Sequence, residues 1–414
     1  MTKLELMLKY VSEYNDFYKK RIKEYGIKNP LDITQWPVLT RKELQENRYN
    51  MFSDGFRAKY YNQQLRRQSS SGSSGMPIVV YWDYQNFYSS NLSLWRKRYK
   101  YYSIHAQDRF VSFNLNSFNV KADDKCFYYI VDPSNVLSIN VTMIHRENNY
   151  KMMAEIINDF NPTWMYIQPF VLNKLIQVSK KYGIGIPTNL KYIESVGELL
   201  PELLRQDAID FFNVPIANMY GTEEMNCVAF ECPEHHMHIN SDNVLVECMQ
   251  NGSIFQNGSG EAIITNLNNY AMPLIRYNQG DQITIDYNDK LCTYSSSEPI
   301  ISIVKGRSID RILLERDYEI NSYMLYEIMA EAYNHFGGGF KNYKFVFSKS
   351  SKQLQCTIEA DSSINDGWKK SITQELYNIF SNKISPDTHI VFDVSFENTL
   401  EWNGGKHKIL EVIE

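Results

Sequence analysis

A short segment rich in serine and glycine, Ser69 to Gly75, lies between a polar run and the apolar run Ile78 to Trp82. Glycine admits positive φ values and lets the backbone approach a ligand closely, because it has no Cβ. Successive backbone N–H groups in such a loop can converge on an anion, and serine hydroxyls add further donors. The segment therefore favours a polyphosphate-binding loop, with a flexible linker as the alternative.

Five further short motifs follow this loop in the chain. They are Ser195 to Leu200, Asn218 to Glu224, Pro273 to Asp281, Gly306 to Ile312 and Asn403 to Lys406. They contain carboxylates, which accept hydrogen bonds from hydroxyls or hold hard cations, and basic side chains, which neutralise phosphate. Singly, each motif also fits an ordinary turn or strand end, since short motifs match by chance. Their joint occurrence in this order is much harder to attribute to chance.

The composition is that of an ordinary globular protein with a slight acidic excess. The 414 residues suffice for two or more units, and 43% of them are hydrophobic. A net charge of −5 argues against a nucleic-acid partner, because phosphate backbones require clustered Lys and Arg. Without an apolar run of about 18 residues we expect no membrane span. Six cysteines are too few for a disulfide framework, so we expect a cytoplasmic protein.

Hydrophobic periodicity assigns elements to the first half of the chain. Leu4 to Ile22 predicts one amphipathic helix, and Thr40 with Glu43 predicts the capped start of another. Strands and helices alternate between residues 108 and 200, which is typical of an α/β sheet. The predicted strands are 110–113, 126–131, 164–167 and 193–196, and the predicted helices are 151–160 and 169–182.

The second half of the chain shows a different pattern of apolar and polar residues. Residues 237–303 show the alternation of β-strands with Asn-Gly turns. A boundary near residue 305 then divides the chain into an N-terminal domain, 1–305, and a small α+β C-terminal domain, 306–414. In the latter we expect helices at 321–335 and 364–382, and strands at 342–348, 353–360 and 389–396.

Taken together, the motifs resemble those of the adenylate-forming enzymes, which include acyl-coenzyme A ligases, firefly luciferase and peptide-synthetase adenylation domains. They are most similar to the phenylacetate–coenzyme A ligase branch, with its adenylating proteins of capsule biosynthesis. The segments Asp16 to Tyr18, Pro37 to Lys42 and Cys232 to Glu247 are also similar to that branch, so the resemblance covers nearly the whole chain. It implies an α/β fold whose large N-terminal domain has mixed sheets flanked by helices plus a β-rich subdomain. A small, mobile α+β domain would follow.

The resemblance implies a two-step reaction that uses ATP and Mg²⁺. A carboxylate, which we expect to be small and aromatic, attacks the α-phosphate and releases pyrophosphate. The thiol of coenzyme A then takes the acyl group from the acyl-adenylate. Two alternatives stay open: the acceptor is instead a carrier protein, an amine or a protein cysteine, or the chain is an inactive nucleotide-binding relative. The resemblance also leaves open whether the chain forms a homodimer.

The resemblance implies roles for particular residues. The β- and γ-phosphates would be held by Ser71, Gly72, Ser73, Ser74 and Gly75. The adenine site would comprise Gly197, Glu198, Met219, Tyr220, Gly221 and Thr222, with Tyr220 stacked on the base. Asp281 would bind the ribose hydroxyls and Arg307 the ribose or phosphate. Glu224 would bind Mg²⁺, and Lys406 would bridge the carboxylate and the α-phosphate during adenylation.

Three residues depart from the family pattern. Met76 stands where the loop commonly has Lys, Glu223 where Thr or Ser is usual, and Ile309 where an acidic residue precedes the hinge aspartate. These departures motivate the inactive alternative, whereas the retained Asp281, Arg307 and Lys406 favour an enzyme. We expect a structural role for Arg276.

A separate group of cysteines and histidines lies at residues 227–238. Cys232, His235 and His238 have a spacing compatible with a structural Zn²⁺ site. The paired Cys-x2-Cys arrangement is absent, and buried single cysteines are common, so ordinary core cysteines are the alternative.

Overall fold

The structure is a computed structural model that describes residues 1–69, 78–114, 127–131, 135–140, 147–198, 200–286, 292–295, 298–307, 311–314, 319–336, 340–360, 364–384, 388–398, 400 and 409–414. These residues form ten α-helices and 21 strands. The strands build one 13-stranded sheet, one four-stranded sheet and two two-stranded sheets. The predicted α/β class is confirmed.

The helices are α1 Lys3–Tyr14, α2 Asp16–Glu24, α3 Arg41–Asn47, α4 Phe56–Tyr61, α5 Tyr84–Tyr102, α6 Glu147–Phe160, α7 Pro169–Tyr182, α8 Glu202–Phe212, α9 Ser322–Phe336 and α10 Asp366–Lys383. The strands of the first part are β1 Arg66–Ser69, β2 Val79–Trp82, β3 Phe110–Asn114, β4 Tyr128–Val131, β5 Val136–Asn140, β6 Trp164–Ile167, β7 Tyr192–Val196, β8 Ile216–Thr222, β9 Asn226–Glu231, β10 Met237–Ile239, β11 Val244–Gln250, β12 Ser253–Phe255, β13 Gly258–Asn266, β14 Tyr277–Asp286 and β15 Ile300–Arg307. The remaining strands are β16 Arg311–Leu313, β17 Glu319–Asn321, β18 Phe340–Ser348, β19 Gln353–Ala360, β20 Val391–Glu397 and β21 Leu410–Ile413.

The 13-stranded sheet has a parallel half and an antiparallel half. Its strand order is β12-β11-β13-β14-β15-β10-β9-β8-β7-β6-β3-β5-β4. The run β8-β7-β6-β3-β5 is parallel, whereas the pairs from β9 to β15 are antiparallel. Because parallel strands point the same way, their carboxyl ends share one edge, where open α/β sheets bind ligands.

Helices cover both faces of the parallel half. Met165 and Ile167 in β6 belong to a core built with α6, α7 and α8. Trp164 and Tyr166, which alternate with them, pack in a second core with α5. Since both faces are buried, these strands read as continuous apolar runs. That property explains why apolar runs alone predicted them correctly.

Most predicted elements are confirmed with bounds shifted by a few residues. The predicted helix 169–182 coincides with α7, and the predicted strands 164–167 and 353–360 coincide with β6 and β19. Thr40 forms the predicted capping box with Glu43 at the start of α3. Seven of the described strands were not predicted: β1, β5, β8, β9, β16, β17 and β21. β1 is only partly buried, so it lacks the apolar signal that marked the predicted strands.

The prediction of one continuous helix over residues 4–22 was wrong, because the chain breaks at Asn15. The Asn15 side chain accepts a hydrogen bond from the Tyr18 backbone N–H and thereby caps α2. Its Nδ2 donates to Met51 O at 2.8 Å and to Ser53 Oγ at 3.1 Å, and the residue is fully buried. The apolar periodicity of the sequence continues through Asn15. The break between α1 and α2 therefore becomes visible only from the hydrogen bonds of Asn15 to Met51 and Ser53.

Replacing Asn15 with alanine is expected to cost about 2–3 kcal/mol of unfolding free energy, because a helix cap and two buried hydrogen bonds are lost together. Thr2→Ala is the matched control, since Thr2 caps α1 at an exposed position and its loss should cost only about 1 kcal/mol. Urea denaturation of both variants measures the difference. Equal costs would contradict the role given to the buried partners.

The C-terminal strands form a separate small sheet. Its order is β20-β19-β18-β21, and α9 and α10 share a hydrophobic core with it. This core draws only on residues from 312 onward, whereas the other clusters draw on residues up to 301. β15 runs to Arg307, two residues past the predicted boundary, and the division into 1–305 and 306–414 stays a prediction.

The Ser/Gly segment is flanked by a hairpin. β1 and β2 pair antiparallel, with Ser69 opposite Val79, and Val80 and Trp82 are buried in the core of the antiparallel half. The core thus holds β2, and β2 holds β1 by strand pairing. Across the described residues, no helix is long and apolar enough to cross a bilayer.

Candidate functional site

The carboxyl edge of the parallel strands brings two predicted motifs together. Val196 pairs with Met219 across β7 and β8, so the residues that follow lie side by side. Gly197 has a φ of +80°, a left-handed conformation that favours glycine. The chain therefore turns sharply off β7 at Gly197 and Glu198, next to Tyr220. This is the proximity that the sequence motifs predicted.

Tyr220 and Asp281 are in direct contact although 61 residues separate them. The Tyr220 hydroxyl donates to Asp281 Oδ2 at 2.6 Å. Gln279 Nε2 donates to the same Oδ2 at 2.7 Å and to the Tyr220 hydroxyl at 3.1 Å. Asp281 is 6% exposed. The carboxylate is thus held in one orientation by two donors on its Oδ2.

Arg307 is the backbone neighbour of Asp281. The two residues are register partners in the antiparallel pair β14 and β15. Asp281 and Arg307, both predicted to contact the nucleotide, are 26 positions apart in the sequence and lie on adjacent strands.

The turn after β8 contains the predicted metal ligand. Glu224 is buried, whereas Glu223 is exposed. Asn266 Nδ2 donates to the Glu224 backbone oxygen at 3.4 Å, and Thr222 Oγ1 accepts from the Met225 N–H at 3.2 Å. The two glutamates thus differ in burial, and the assignment of Mg²⁺ to Glu224 stays a prediction.

Gly221 must be a glycine for reasons of space. A Cβ at this position would lie 2.7 Å from Asn226 O and 3.0 Å from Met219 Sδ. The distance to the Asn226 backbone oxygen is shorter than real Cβ atoms show, so the turn from β8 into β9 excludes larger residues here. Gly221 therefore supports the turn by its shape.

Buried polar atoms without hydrogen-bond partners accompany this edge. Gln168 Oε1 follows β6, Ser195 Oγ lies near the end of β7, and Gln279 Oε1 lies beside Asp281. Burial of an unpaired polar atom costs about 1–3 kcal/mol, so such atoms require an explanation. A polar ligand with hydroxyl and amino groups, such as a nucleoside, would satisfy acceptors of this kind. The residues present therefore fit a nucleotide.

Sequence reasoning gave no role to Gln279. Its position two residues before Asp281 in β14 places both side chains on one face, so strand periodicity could have identified it.

Arg276 fulfils its expected structural role. It is buried, and its Nε and Nη2 bind Glu247 Oε2 and Oε1 at 2.9 and 2.6 Å.

Several predicted residues lie outside the described residues. They are Ser71, Gly72, Ser73, Ser74, Gly75 and Lys406, together with the departures Met76 and Ile309. Their assigned roles stay predictions.

The predicted zinc ligand set was partly wrong. His235 Nδ1 lies 3.5 Å from Glu231 Oε1 and 3.3 Å from Arg205 Nη1, and its side chain is largely exposed. The hydrogen bond with Glu231 raises the pKa of His235. The backbone of His235 is in the left-handed region, with a φ of +61°. Instead, Cys232 and His238 group with two other residues, His236 and Cys292.

Comparisons with known proteins agree with this geometry. A family model described as "AMP-binding enzyme" matches residues 68–247, which span the Ser/Gly segment and the Tyr220 motif. The chain is 24% identical to Protein CapK of Staphylococcus aureus, over 74% of this chain and 67% of that protein. It is 22% identical to phenylacetate-coenzyme A ligase of Thermus thermophilus, over 75% of this chain and 70% of that enzyme.

A solved structure shows the same fold. The crystal structure of 2-hydroxyisobutyryl-CoA ligase in the postadenylation state, in complex with R3-HIB-AMP, superposes with a TM-score of 0.75. The match covers 99% of this chain and 87% of that chain at 14% sequence identity. The likeness thus extends through the small C-terminal sheet.

Proposed function

We propose that this chain activates a carboxylic acid with ATP and transfers the acyl group to coenzyme A. The proposal starts from its family: the chain belongs to the adenylate-forming, AMP-binding enzymes, in the branch of phenylacetate–coenzyme A ligase and CapK. The observation that supports this function most directly is the contact of Tyr220 and Gln279 with the buried Asp281, beside the turn at Gly197. It unites three separate motifs at the edge of the sheet where α/β proteins bind nucleotides.

In this proposal, Asp281 receives the ribose. A carboxylate offers about four lone-pair directions on two oxygens, and Tyr220 and Gln279 both donate to Oδ2. Oδ1 is the oxygen that we assign to the ribose hydroxyls. The ring of Tyr220 and the turn at Gly197 and Glu198 would line the adenine site.

The phosphates require donors and cations, since negative charge is redistributed over their oxygens during the transfer. We assign the donors to the Ser/Gly segment, Ser71 to Gly75, between β1 and β2. Glu224 supplies a hard oxygen ligand for Mg²⁺, which when bound would neutralise phosphate charge. Lys406 would supply a mobile positive charge near the α-phosphate and the attacking carboxylate.

For the acid we propose a small aromatic carboxylate. The support is that a curated relative in the same branch is named for phenylacetate. The acceptor in the proposal is coenzyme A, as the name of the same relative indicates. None of the five described cysteines forms a disulfide, which supports placing the reaction in the cytoplasm.

Pyrophosphate release tests the first step. The protein is incubated with ATP, Mg²⁺ and a panel of aryl, hydroxy and fatty acids, and pyrophosphate and acyl-adenylate are measured. We expect turnover with at least one arylacetic or benzoic acid. A panel without any pyrophosphate release would contradict the function, and release with fatty acids alone would contradict the aromatic assignment.

The acceptor is tested separately with the active acid in radiolabelled form. Label on coenzyme A supports the proposal, whereas label on protein or on an added amine identifies another acceptor.

Lys406→Ala should abolish adenylation, while Lys370→Ala, which changes an exposed lysine in α10, should leave adenylation intact. Unchanged adenylation in Lys406→Ala would remove the role assigned to this lysine.

A further inference from the structure

Four side chains that can bind a metal converge away from the nucleotide edge. Cys232, His236, His238 and Cys292 each offer one ligand atom, and these four atoms all lie within 4.8 Å of one another. His238 is fully buried, and both cysteines are buried. We propose that these four residues hold a structural Zn²⁺ ion.

The distances match tetrahedral coordination. With Zn–S bonds of about 2.3 Å and Zn–N bonds of about 2.0–2.1 Å, a tetrahedron places two thiolates about 3.8 Å apart and a thiolate about 3.6 Å from an imidazole nitrogen. In the structure, Cys232 Sγ and Cys292 Sγ are 3.6 Å apart, and His238 Nε2 lies 3.2 Å from Cys292 Sγ. For these two pairs of atoms, metal binding would require shifts of only a few tenths of an ångström.

Local structure explains how two ligands come from one tight turn. The Cys232 N–H donates to His236 O at 3.0 Å, and the His235 N–H donates to Cys232 O at 2.9 Å. This turn joins β9 to β10 and brings Cys232 and His236 close together. His238 follows in β10, while Cys292 arrives from the segment between β14 and β15.

Carboxylates lie where the supporting partners of metal-bound histidines usually lie. His238 Nδ1 is 4.0 Å from Glu298 Oε2, and Lys97 Nζ donates to both Glu298 oxygens at 2.5 and 2.6 Å. His236 Nδ1 is 3.7 Å from Glu234 Oε2. Both Nδ1 atoms are buried without a hydrogen-bond partner. A carboxylate near the second ring nitrogen orients a histidine and fixes its tautomer when a metal binds the first.

Four protein ligands leave no open position, which is the arrangement of structural rather than catalytic zinc. The site also lies at the far end of the strands that carry Tyr220. In the antiparallel pair, Asn226 faces Thr222 while Phe230 faces Met219, so β9 runs away from the nucleotide edge toward Cys232. The ion would tie the segment containing Cys292 to the β9–β10 turn, independently of ATP.

Metal analysis of the untagged protein tests the proposal. We expect about one zinc per chain by elemental mass spectrometry after removal of loosely bound ions. Cys292→Ser and His236→Ala should each raise the Kd for zinc at least about tenfold in competition with a chelator, because losing a ligand costs no less than the 10–100-fold in affinity that losing an outer partner costs. Zinc well below one equivalent in the wild-type protein, or an unchanged Kd in Cys292→Ser, would overturn the proposal.

Matched controls separate ligand loss from general damage. His235→Ala changes the neighbouring histidine, and Cys227→Ser changes a buried cysteine of the same hydrophobic cluster. Both variants should keep the wild-type Kd for zinc. If either raises this Kd as much as Cys292→Ser does, the assigned ligand set is wrong.

One measurement avoids variants that fail to fold. A thiol-specific mercurial is titrated into the wild-type protein while a chromogenic chelator reports released zinc. Release in step with modification of two thiols supports the site. A Cys232–Cys292 disulfide in zinc-free protein, detected by non-reducing peptide mass spectrometry, would overturn it, since the Sγ atoms would then have formed a bond of about 2.05 Å.

Discussion

Asp281→Asn is expected to raise the KM for ATP in the adenylation step about 100-fold with a smaller effect on kcat. Each hydrogen bond to a charged acceptor contributes about 1.5–3 kcal/mol, and we propose that Asp281 accepts bonds from the ribose in substrate and transition state alike. An asparagine there keeps only one side-chain oxygen, so it can accept from Tyr220 and Gln279 or from the ribose, but not from both. Pyrophosphate exchange at varied ATP concentration measures the effect.

Asp286→Asn is the matched control, because Asp286 lies at the exposed end of the same strand, β14. It should leave the KM for ATP unchanged. A purely structural role for Asp281 would lower the melting temperature of Asp281→Asn but leave the KM for ATP of the folded protein intact. That combination would contradict the ribose assignment.

Arg98→Met is expected to lower the unfolding free energy by about 3–5 kcal/mol, because it leaves the fully buried carboxylate of Glu194 without its partner. Arg98 Nε and Nη2 bind the two Glu194 oxygens at 2.7 Å each, and the guanidinium lies 4.8 Å from the Trp164 ring centroid. Burial alone would lower the pKa of Arg98, but the Glu194 carboxylate raises it above the ordinary value. Arg98 therefore stays charged between α5 and β7.

A second substitution shows whether the buried charge causes the loss. Arg98→Met combined with Glu194→Gln should recover part of the stability, since no uncompensated charge stays buried. Lys180→Ala is the control for an exposed pair: Lys180 and Asp207 are 2.6 Å apart but about half exposed, so the cost should be below about 1 kcal/mol. The urea concentrations at the unfolding midpoints of Arg98→Met, the double variant and Lys180→Ala measure these differences in stability. A loss in Arg98→Met no larger than in Lys180→Ala would be the contrary result.

Sequence reasoning worked best where local signals coincide with burial. α7 was predicted to the residue, because Pro169 begins it, Gly183 in a left-handed conformation ends it and apolar residues repeat along it. β6 was equally clear as an apolar run buried on both faces. The prediction of a continuous helix through Asn15 failed for the opposite reason, because the side chain of Asn15 is held by distant partners, Met51 and Ser53.

The candidate site shows the same division. The motif around Tyr220 and the motif around Asp281 were recognisable by residue type, but nothing local predicts that their side chains touch. That contact joins β8 and β14, which have three strands, β9, β10 and β15, between them in the order of the large sheet. Gln279 escaped notice because its partners belong to this contact.

What the amino-acid sequence alone determined was the set of chemical groups, their order, and the helices and strands set by neighbours a few residues apart. Only the tertiary structure decided which distant groups meet: Tyr220 with Asp281, Arg98 with Glu194, and Cys232 with Cys292 rather than with His235. The physical reason is that periodicity and capping act over about one turn of chain. Pairing across a sheet instead depends on the free energy of burying whole faces, to which every strand contributes.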